Sequence, residues 1–199
     1  MSKFLLKVNM TRRIDFKKLK KDFDRFETQR ENLVNLSRKI IQLSKKIIYA
    51  VHRRDIKSAN KNTALIKKHV KALTLFKDPK LTASGSYKIA IQEYVEALCY
   101  LEFVKHNTLL SYSKLGVDFE HYLLGLCDFT GELVRKALSA GIDGNFKEVF
   151  RIRNFVNELY NELLNFDFRN SELRKKIDTI RWDLKKLDEM ALELKLKGK

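Results

Sequence analysis

Apolar side chains recur every three or four residues along much of this chain, which is the spacing of one face of an α-helix. The longest such stripe runs through residues 16–51, where only Arg30 interrupts it, and no Gly or Pro breaks residues 12–55. At about 1.5 Å per residue, the pattern predicts a first helix of over ~60 Å. One chain of 199 residues cannot cover so long an apolar face. The helix must therefore lie along several other helices or reach into neighbouring subunits.

Five further helices are predicted by the same periodicity and by the residues that break it. Their expected spans are residues 58–76 ended by Pro79, 81–106, 118–139 with Asp118 as N-cap and Gly141 after it, 146–164, and 171–196 with Ser171 as N-cap. Residues 107–116 form a connection. The chain shows no internal repeat or linker, so we expect a single domain over residues 1–199. The predicted fold class is all-α, an up-and-down bundle of about six helices with a very long first helix.

The charge of the chain is concentrated in its first part. Residues 1–80 hold 23 basic and 7 acidic side chains, whereas residues 81–199 hold 18 of each, so the whole excess of +16 lies in the first part. Such a block indicates a polyanionic partner, either nucleic acid or an anionic membrane, although a solvated helix face gives the same pattern.

Cysteine content and hydropathy limit the class of protein further. No uncharged apolar stretch approaches the ~18 residues that a membrane span needs. The two cysteines, Cys99 and Cys127, are far apart and form no CxxC motif. This excludes a disulfide scaffold and a cysteine-based zinc site, and it suits a reducing cytoplasm. We therefore expect a cytoplasmic protein with no membrane partner.

Two pairs of carboxylates interrupt otherwise apolar helices. Glu93 and Glu96 share a face of the third predicted helix, and Asp128 and Glu132 share a stripe of the fourth. Carboxylates on such helices are costly unless a cation lies between them. A hard divalent cation such as Mg²⁺ or Mn²⁺ would meet that need. The alternative is that the Glu pair lies at the wet edge of a buried helix and pairs with the basic first helix.

The sequence lacks the motifs of other common catalytic and nucleotide-binding sites. The sequence has no P-loop, no GxGxxG, no GxSxG and no HExxH motif. A di-iron carboxylate bundle is excluded because no His follows Glu93, Glu96 or Glu132 by three residues. Gly125 and Gly131 lie inside the fourth predicted helix, where each costs about 1 kcal/mol relative to Ala. We therefore expect them to permit the close approach of another backbone or of a ligand.

Residues 92–97 (QEYVEA) and residues 122–133 (YLLGLCDFTGEL) resemble motifs of the translin superfamily, most closely its catalytic branch, that of translin-associated factor X. Residues 48–53 are similar to the end of the family's first helix. Residues 173–178 and 185–187 are similar to the C-terminal helix of translin itself. The mixture suggests an archaeal, single-subunit form that both binds and cleaves nucleic acid.

The resemblance implies an all-α bundle assembled into a hollow homo-octamer that cleaves single-stranded RNA with Mg²⁺. It gives Glu93, Glu96 and Asp128 as catalytic and metal-binding carboxylates. Glu132 would be a further metal ligand, although the non-catalytic translin pattern keeps an acid there too. Cys127 and Phe129 stand where the catalytic branch usually has Ala and Leu, which changes packing rather than ligands.

No Lys or Arg adjoins the four acids in sequence, so cations that position a phosphate must come from elsewhere, and the first two helices are the expected source. The residues expected to bind nucleic acid are Arg38, Lys45, Lys46, Arg53, Arg54, Lys67, Lys68, His69 and Lys71. The expected partner is single-stranded RNA, with single-stranded DNA as a further ligand, because a basic groove that follows the backbone needs no base readout.

Two other functions compete with a nuclease. The first is a non-catalytic oligomer of the translin type that binds single-stranded DNA or RNA. Such a protein has no use for carboxylates beside the nucleic acid, so the acidic residues argue against it. The second is a membrane-surface or scaffold protein that uses the long basic helix. It is disfavoured because the basic residues surround that helix instead of lying opposite one apolar face.

Overall fold

A capping aspartate begins the first helix. In the computed structural model, which describes residues 14–169 and 172–198, the Asp15 side chain accepts a hydrogen bond from the backbone N–H of Lys18. Helix α1 then runs over Phe16–His52. Its 37 residues span about 55 Å, somewhat less than predicted, because Asp15 caps the helix and the chain turns after His52. Residues 12 and 13 of the predicted span lie outside the described residues.

Seven further helices follow α1 within the described residues, which contain no strand. They are α2 (Ile56–Leu73), α3 (Pro79–Thr82), α4 (Gly85–His106), α5 (Tyr112–Leu115), α6 (Phe119–Ile142), α7 (Phe146–Leu164) and α8 (Glu172–Leu196). The six long helices confirm the predicted all-α architecture, and α3 and α5 are single turns.

Some helix boundaries differ from those predicted from the sequence. The third predicted helix is divided because the Ser84 side chain caps α4 by accepting a hydrogen bond from the Tyr87 N–H. Gly141 does not end α6, which continues to Ile142. The predicted N-cap Asp118 is confirmed, since its side chain accepts from the His121 N–H. The predicted cap Ser171 lies outside the described residues.

Helix α4 lies at the centre of the bundle. It packs against α1 on one side and α6 on the other, while α2 packs mainly on α1, and α7 and α8 pack on α6 and on each other. Apolar residues surround α4, and eleven of its residues are buried. One hydrophobic cluster extends from Leu33 on α1 to Leu187 on α8. In the middle of α4, the polar side chains of Gln92, Glu93 and Glu96 are therefore buried or half-buried, whereas Lys105 and His106 at its end are exposed.

The apolar stripe of α1 is covered over only part of its length. From Leu33 onward its residues enter the core, but Phe16, Leu19 and Phe23 are 57%, 57% and 60% exposed. None of the described helices combines the length and the hydropathy that crossing a membrane requires. The exposed first turns of α1 thus form an apolar face that the rest of the described chain leaves uncovered.

Candidate functional site

A glycine allows α6 to approach α4 closely enough to bring the two acidic pairs together. A Cβ atom added at Gly125 would lie 2.6 Å from the Val95 Cβ and 2.8 Å from the carbonyl oxygen of Gln92. The close approach predicted for Gly125 is therefore confirmed. Gly131 differs, because a Cβ there would have nothing nearer than the Asp183 Oδ2 at 4.0 Å.

The four predicted carboxylates form one electrostatic cluster, which we call the acid cluster: Glu93 and Glu96 of α4, and Asp128 and Glu132 of α6. Burial raises the pKa of Glu96 to about 8 from an ordinary value of 4.5. The negative charges of the other three act in the same direction. Burial also raises the pKa of Glu93, and the Lys45 ammonium partly opposes that shift. Because the four carboxylates are close to one another and partly buried, one or more of them is costly to ionise without a nearby cation.

Lys176 supplies a cation directly to the acid cluster. Its Nζ lies 2.5 Å from the Asp128 Oδ2 and also donates a hydrogen bond of 3.2 Å to the Gln92 Oε1. The residue belongs to α8, which packs on α6. A half-buried ammonium therefore lies at the point where α4, α6 and α8 come together.

A second contact holds Glu132. The His52 Nε2 is paired with the Glu132 Oε2, and the His52 Nδ1 lies 3.1 Å from the Tyr100 hydroxyl. His52 is the last residue of α1, and Tyr100 belongs to α4. Contacts at both ring nitrogens fix the orientation of the imidazole. The guanidinium of Arg135 also lies 3.8 Å from Glu132.

Carboxylate oxygens are the ligands that Mg²⁺ and Mn²⁺ prefer, so the donor chemistry of the acid cluster fits such an ion. Its geometry is not that of an assembled metal centre. Across residues 14–169 and 172–198, no three side chains of His, Cys, Asp or Glu are placed so that they could hold a metal ion. Two of the four carboxylates have other partners: Asp128 pairs with Lys176, and Glu132 pairs with His52.

The residues predicted to bind nucleic acid fall into two groups, one on α1 and just after it, and one on α2. The first group is Arg38, Lys45, Lys46, Arg53 and Arg54, and the second is Lys67, Lys68, His69 and Lys71. Lys45 of α1 lies close enough to Glu93 to affect its pKa, and Arg54 follows the end of α1. The α2 residues Lys67, Lys68, His69 and Lys71 belong to a helix that packs mainly on α1, and the described residues show no ion pair between them and the acid cluster. Eight of the nine residues are exposed, and His69 is half-buried.

Sequence reasoning missed Lys176 and His52 as partners of the acids. Lys176 lies one turn from the buried Leu173 and Ile180, so a cation on the core side of α8 was the available signal. His52 ends the apolar stripe of α1, and nothing in the sequence distinguishes it from a structural His. Cys99 and Cys127 are buried and free, and burial raises the pKa of each thiol to about 12, as suits inert side chains.

Comparison with known proteins gives one consistent family. The model of the translin family matches residues 28–198. The chain is 33% identical over 165 residues to an uncharacterized protein of Methanocaldococcus jannaschii, covering 80% of this chain and 73% of that protein. It is 26% identical to translin-associated protein X of Pongo abelii over an alignment of 231 residues, covering 92% of this chain and 78% of the relative.

Solved structures agree with this result. The crystal structure of apo-NeC3PO superposes with a TM-score of 0.84 at 32% identity, covering 89% of this chain and 96% of that one. The structure of AfC3PO in complex with duplex RNA superposes with a TM-score of 0.81 at 24% identity, covering 92% and 98% of the two chains. The second likeness concerns the fold alone.

Proposed function

The chain belongs to the translin family, and we propose that it is a Mg²⁺- or Mn²⁺-dependent endoribonuclease that binds single-stranded RNA and acts as a hollow homo-oligomer, most simply an octamer. The observation that carries the proposal is the acid cluster, four carboxylates on two apolar helices with the ammonium of Lys176 among them. Carboxylates repel a phosphate backbone, so a protein that only binds RNA has no use for such a cluster. A nuclease that holds a divalent cation does.

The carboxylates that would hold the cation are Glu93, Glu96, Asp128 and Glu132. Bound there, Mg²⁺ or Mn²⁺ supplies activation of water and stabilisation of negative charge on the leaving oxygen. Lys176 is placed to hold a phosphate oxygen, because its ammonium already lies among anionic groups at the cluster. Tyr100 and Glu132 hold the His52 ring in one orientation at the same edge. Lys45, on the opposite side of α4, adds positive potential near Glu93.

Cleavage of a labelled single-stranded RNA oligonucleotide, with Mg²⁺ or with EDTA, tests the proposal directly. We expect cutting with Mg²⁺ and none with EDTA. Asp128→Asn should reduce the rate at least 100-fold and leave RNA binding intact or tighter, because it removes negative charge near the phosphate. Asp178→Asn is the matched control, since this exposed carboxylate of α8 lies outside the acid cluster. If Asp128→Asn and Glu96→Gln both cut at the native rate, the site assignment is wrong.

The runner-up is a non-catalytic oligomer that binds single-stranded DNA or RNA, as the name translin among the relatives suggests. Binding without cutting in Mg²⁺ or Mn²⁺ would favour it. The same assay should include a duplex RNA and a single-stranded DNA of the same sequence, because a related fold, AfC3PO, has been solved with duplex RNA. We expect the single-stranded RNA to be cut fastest, since a flexible strand enters an enclosed cavity more easily than a stiff duplex.

The basic first part of the chain should make binding depend steeply on salt. Each phosphate neutralised on a single strand adds roughly 0.7 to the slope of log affinity against log salt. Replacing Lys45 and Lys46 together by Gln should lower that slope by about 1.4 if both contact phosphate. Fluorescence anisotropy with labelled RNA between 50 and 300 mM salt measures it. A slope near zero in the native protein, or one unchanged in the double variant, would contradict the assignment of α1 as an RNA surface.

A further inference from the structure

A cavity of about 460 Å³ lies beside the acid cluster, between the end of α1, the last turns of α4 and α6, and the start of α7. We call it the α1–α7 cavity. Its volume is within the range of sites that bind small molecules. Tyr100 and His52 line the cavity, and His52 contacts both Tyr100 and Glu132 of the acid cluster. The cavity and the cluster are thus adjacent on one face of α4.

Positive charge predominates in the lining of this cavity. Arg54, Lys105, Lys136 and Arg151 come from four separate segments of the chain, and only two carboxylates accompany them. One of these, Glu148, is shared, since Arg151 lies 2.7 Å and Lys136 lies 3.4 Å from its Oε1.

The remaining cations are paired weakly or not at all. Arg54 pairs with Asp143 at 3.0 Å, at a position where its own side chain is 85% exposed. Lys105 makes no ion pair within the described part of the chain. The lining therefore carries a formal excess of two positive charges in a concave site, an arrangement that attracts anions.

The backbone at Arg54 gives an independent indication. Arg54 follows α1 with φ of 63°, in the left-handed region where Gly or Asn usually ends a helix. A non-glycine residue there costs on the order of 1–3 kcal/mol. Glycine would relieve that cost, so the turn itself does not call for an arginine at this position.

We propose that the α1–α7 cavity binds a nucleotide, with its phosphate held by Arg54, Lys105 and Lys136. The apolar side chains of Val51, Ile56 and Val104 line part of the same cavity and would receive the base. A phosphate group together with a flat apolar base matches both features of the lining. The identification as a nucleotide of the RNA substrate rests on the proposed function. A strand cut at the acid cluster would place a neighbouring nucleotide in the adjoining cavity.

Isothermal titration calorimetry with adenosine 5′-monophosphate, adenosine and inorganic phosphate tests the site on the full chain. We expect the monophosphate to bind, phosphate to bind more weakly, and adenosine to show no measurable binding. Lys105→Gln should weaken the monophosphate about tenfold, the effect of losing one charged hydrogen bond. Lys147→Gln is the matched control, since this exposed lysine of α7 removes the same charge outside the cavity lining. Equal affinity in the native protein and the Lys105→Gln variant would overturn the proposal.

Arg54→Gly separates binding from folding. It should weaken the monophosphate about tenfold while leaving the thermal midpoint unchanged or higher, because Gly adopts a positive φ without strain. Unchanged affinity in Arg54→Gly would likewise count against the site.

Competition with RNA then identifies the source of the nucleotide. If the monophosphate displaces a labelled RNA strand, the cavity holds a nucleotide of that strand, and if both bind together, it holds a free nucleotide. A protein that binds the monophosphate but neither binds nor cuts RNA would refute the proposed function and leave the nucleotide site standing.

Discussion

At the scale of single residues, Lys176 has the most consequential placement. Its ammonium forms an ion pair with the Oδ2 of Asp128. A divalent cation bound at the acid cluster would contact the same oxygen. We therefore expect a metal ion held by Asp128 to compete with Lys176 for one carboxylate oxygen. In the proposed reaction, Lys176 would be the group that holds a phosphate oxygen.

Lys176→Met should therefore bind Mn²⁺ or Mg²⁺ more tightly than the native protein, by about tenfold, because removing a neighbouring positive charge favours a second cation on the same carboxylate. Calorimetric titration of the metal alone measures this without any cleavage. Lys175→Met, the exposed neighbour on α8, is the control and should leave metal affinity unchanged. Equal or weaker metal binding in Lys176→Met would contradict competition at Asp128. Cleavage by this variant should fall despite the tighter metal, since the phosphate loses its ammonium.

The acids could be found from the sequence because they are anomalies within their own helices. A carboxylate on an apolar helix is costly wherever the helix packs, so the local pattern of α4 and α6 reveals it. His52 gives no comparable local signal, and the position of Lys176 on the core side of α8 does not show which carboxylate it meets. They reach the cluster from helices that lie far from it in sequence, and long-range packing brings them there. Local periodicity cannot supply that information.

At the scale of helices, the contact between α4 and α6 depends on Gly125. A side chain there would overlap the Val95 Cβ and the Gln92 carbonyl, so the two helices would have to separate. Gly125→Ala should lower the free energy of unfolding by about 1–3 kcal/mol, the usual cost of overpacking. Gly131→Ala on the same helix is the control. It should raise the free energy of unfolding by about 1 kcal/mol, since Ala favours a helix and the position is open. Chemical denaturation measures both, and equal stability of the two variants would contradict a close contact at Gly125.

The helices could be predicted well because five of the six long ones, all except α4, have a clear apolar periodicity. Boundaries were less accurate where a polar side chain decides them. Ser84 begins α4 within a span that reads as continuously helical, and α6 continues past Gly141 because nothing there requires a left-handed turn. The position of α4 at the centre was visible in its composition, since apolar residues cover all its faces.

At the scale of the whole molecule, the uncovered start of α1 offers an apolar surface for contact between copies of the chain. Phe16, Leu19 and Phe23 form one stripe over about two turns of α1, and each is more than half exposed. A repeated apolar stripe of this kind is usually hidden by symmetric closure in soluble oligomers. The full apolar length of α1 was predicted to exceed what one bundle can cover, and its first turns are the part left over.

We therefore expect a closed, symmetric homo-oligomer in which the start of α1 packs on a neighbouring copy and the acid cluster faces an internal cavity. Light scattering coupled to size exclusion should give one species, with eight chains as the specific expectation from the family. Replacing Phe16, Leu19 and Phe23 together by Ser should dissociate it, because three large apolar side chains lose their burial at every contact. Leu75→Ser is the control, since this apolar residue is even more exposed and lies outside the stripe. Each variant should keep its helical content by circular dichroism, since these positions contribute nothing to the core of the single chain. A native protein that stays monomeric at micromolar concentration would refute both the assembly and the enclosed site, and with them the preference for flexible single strands.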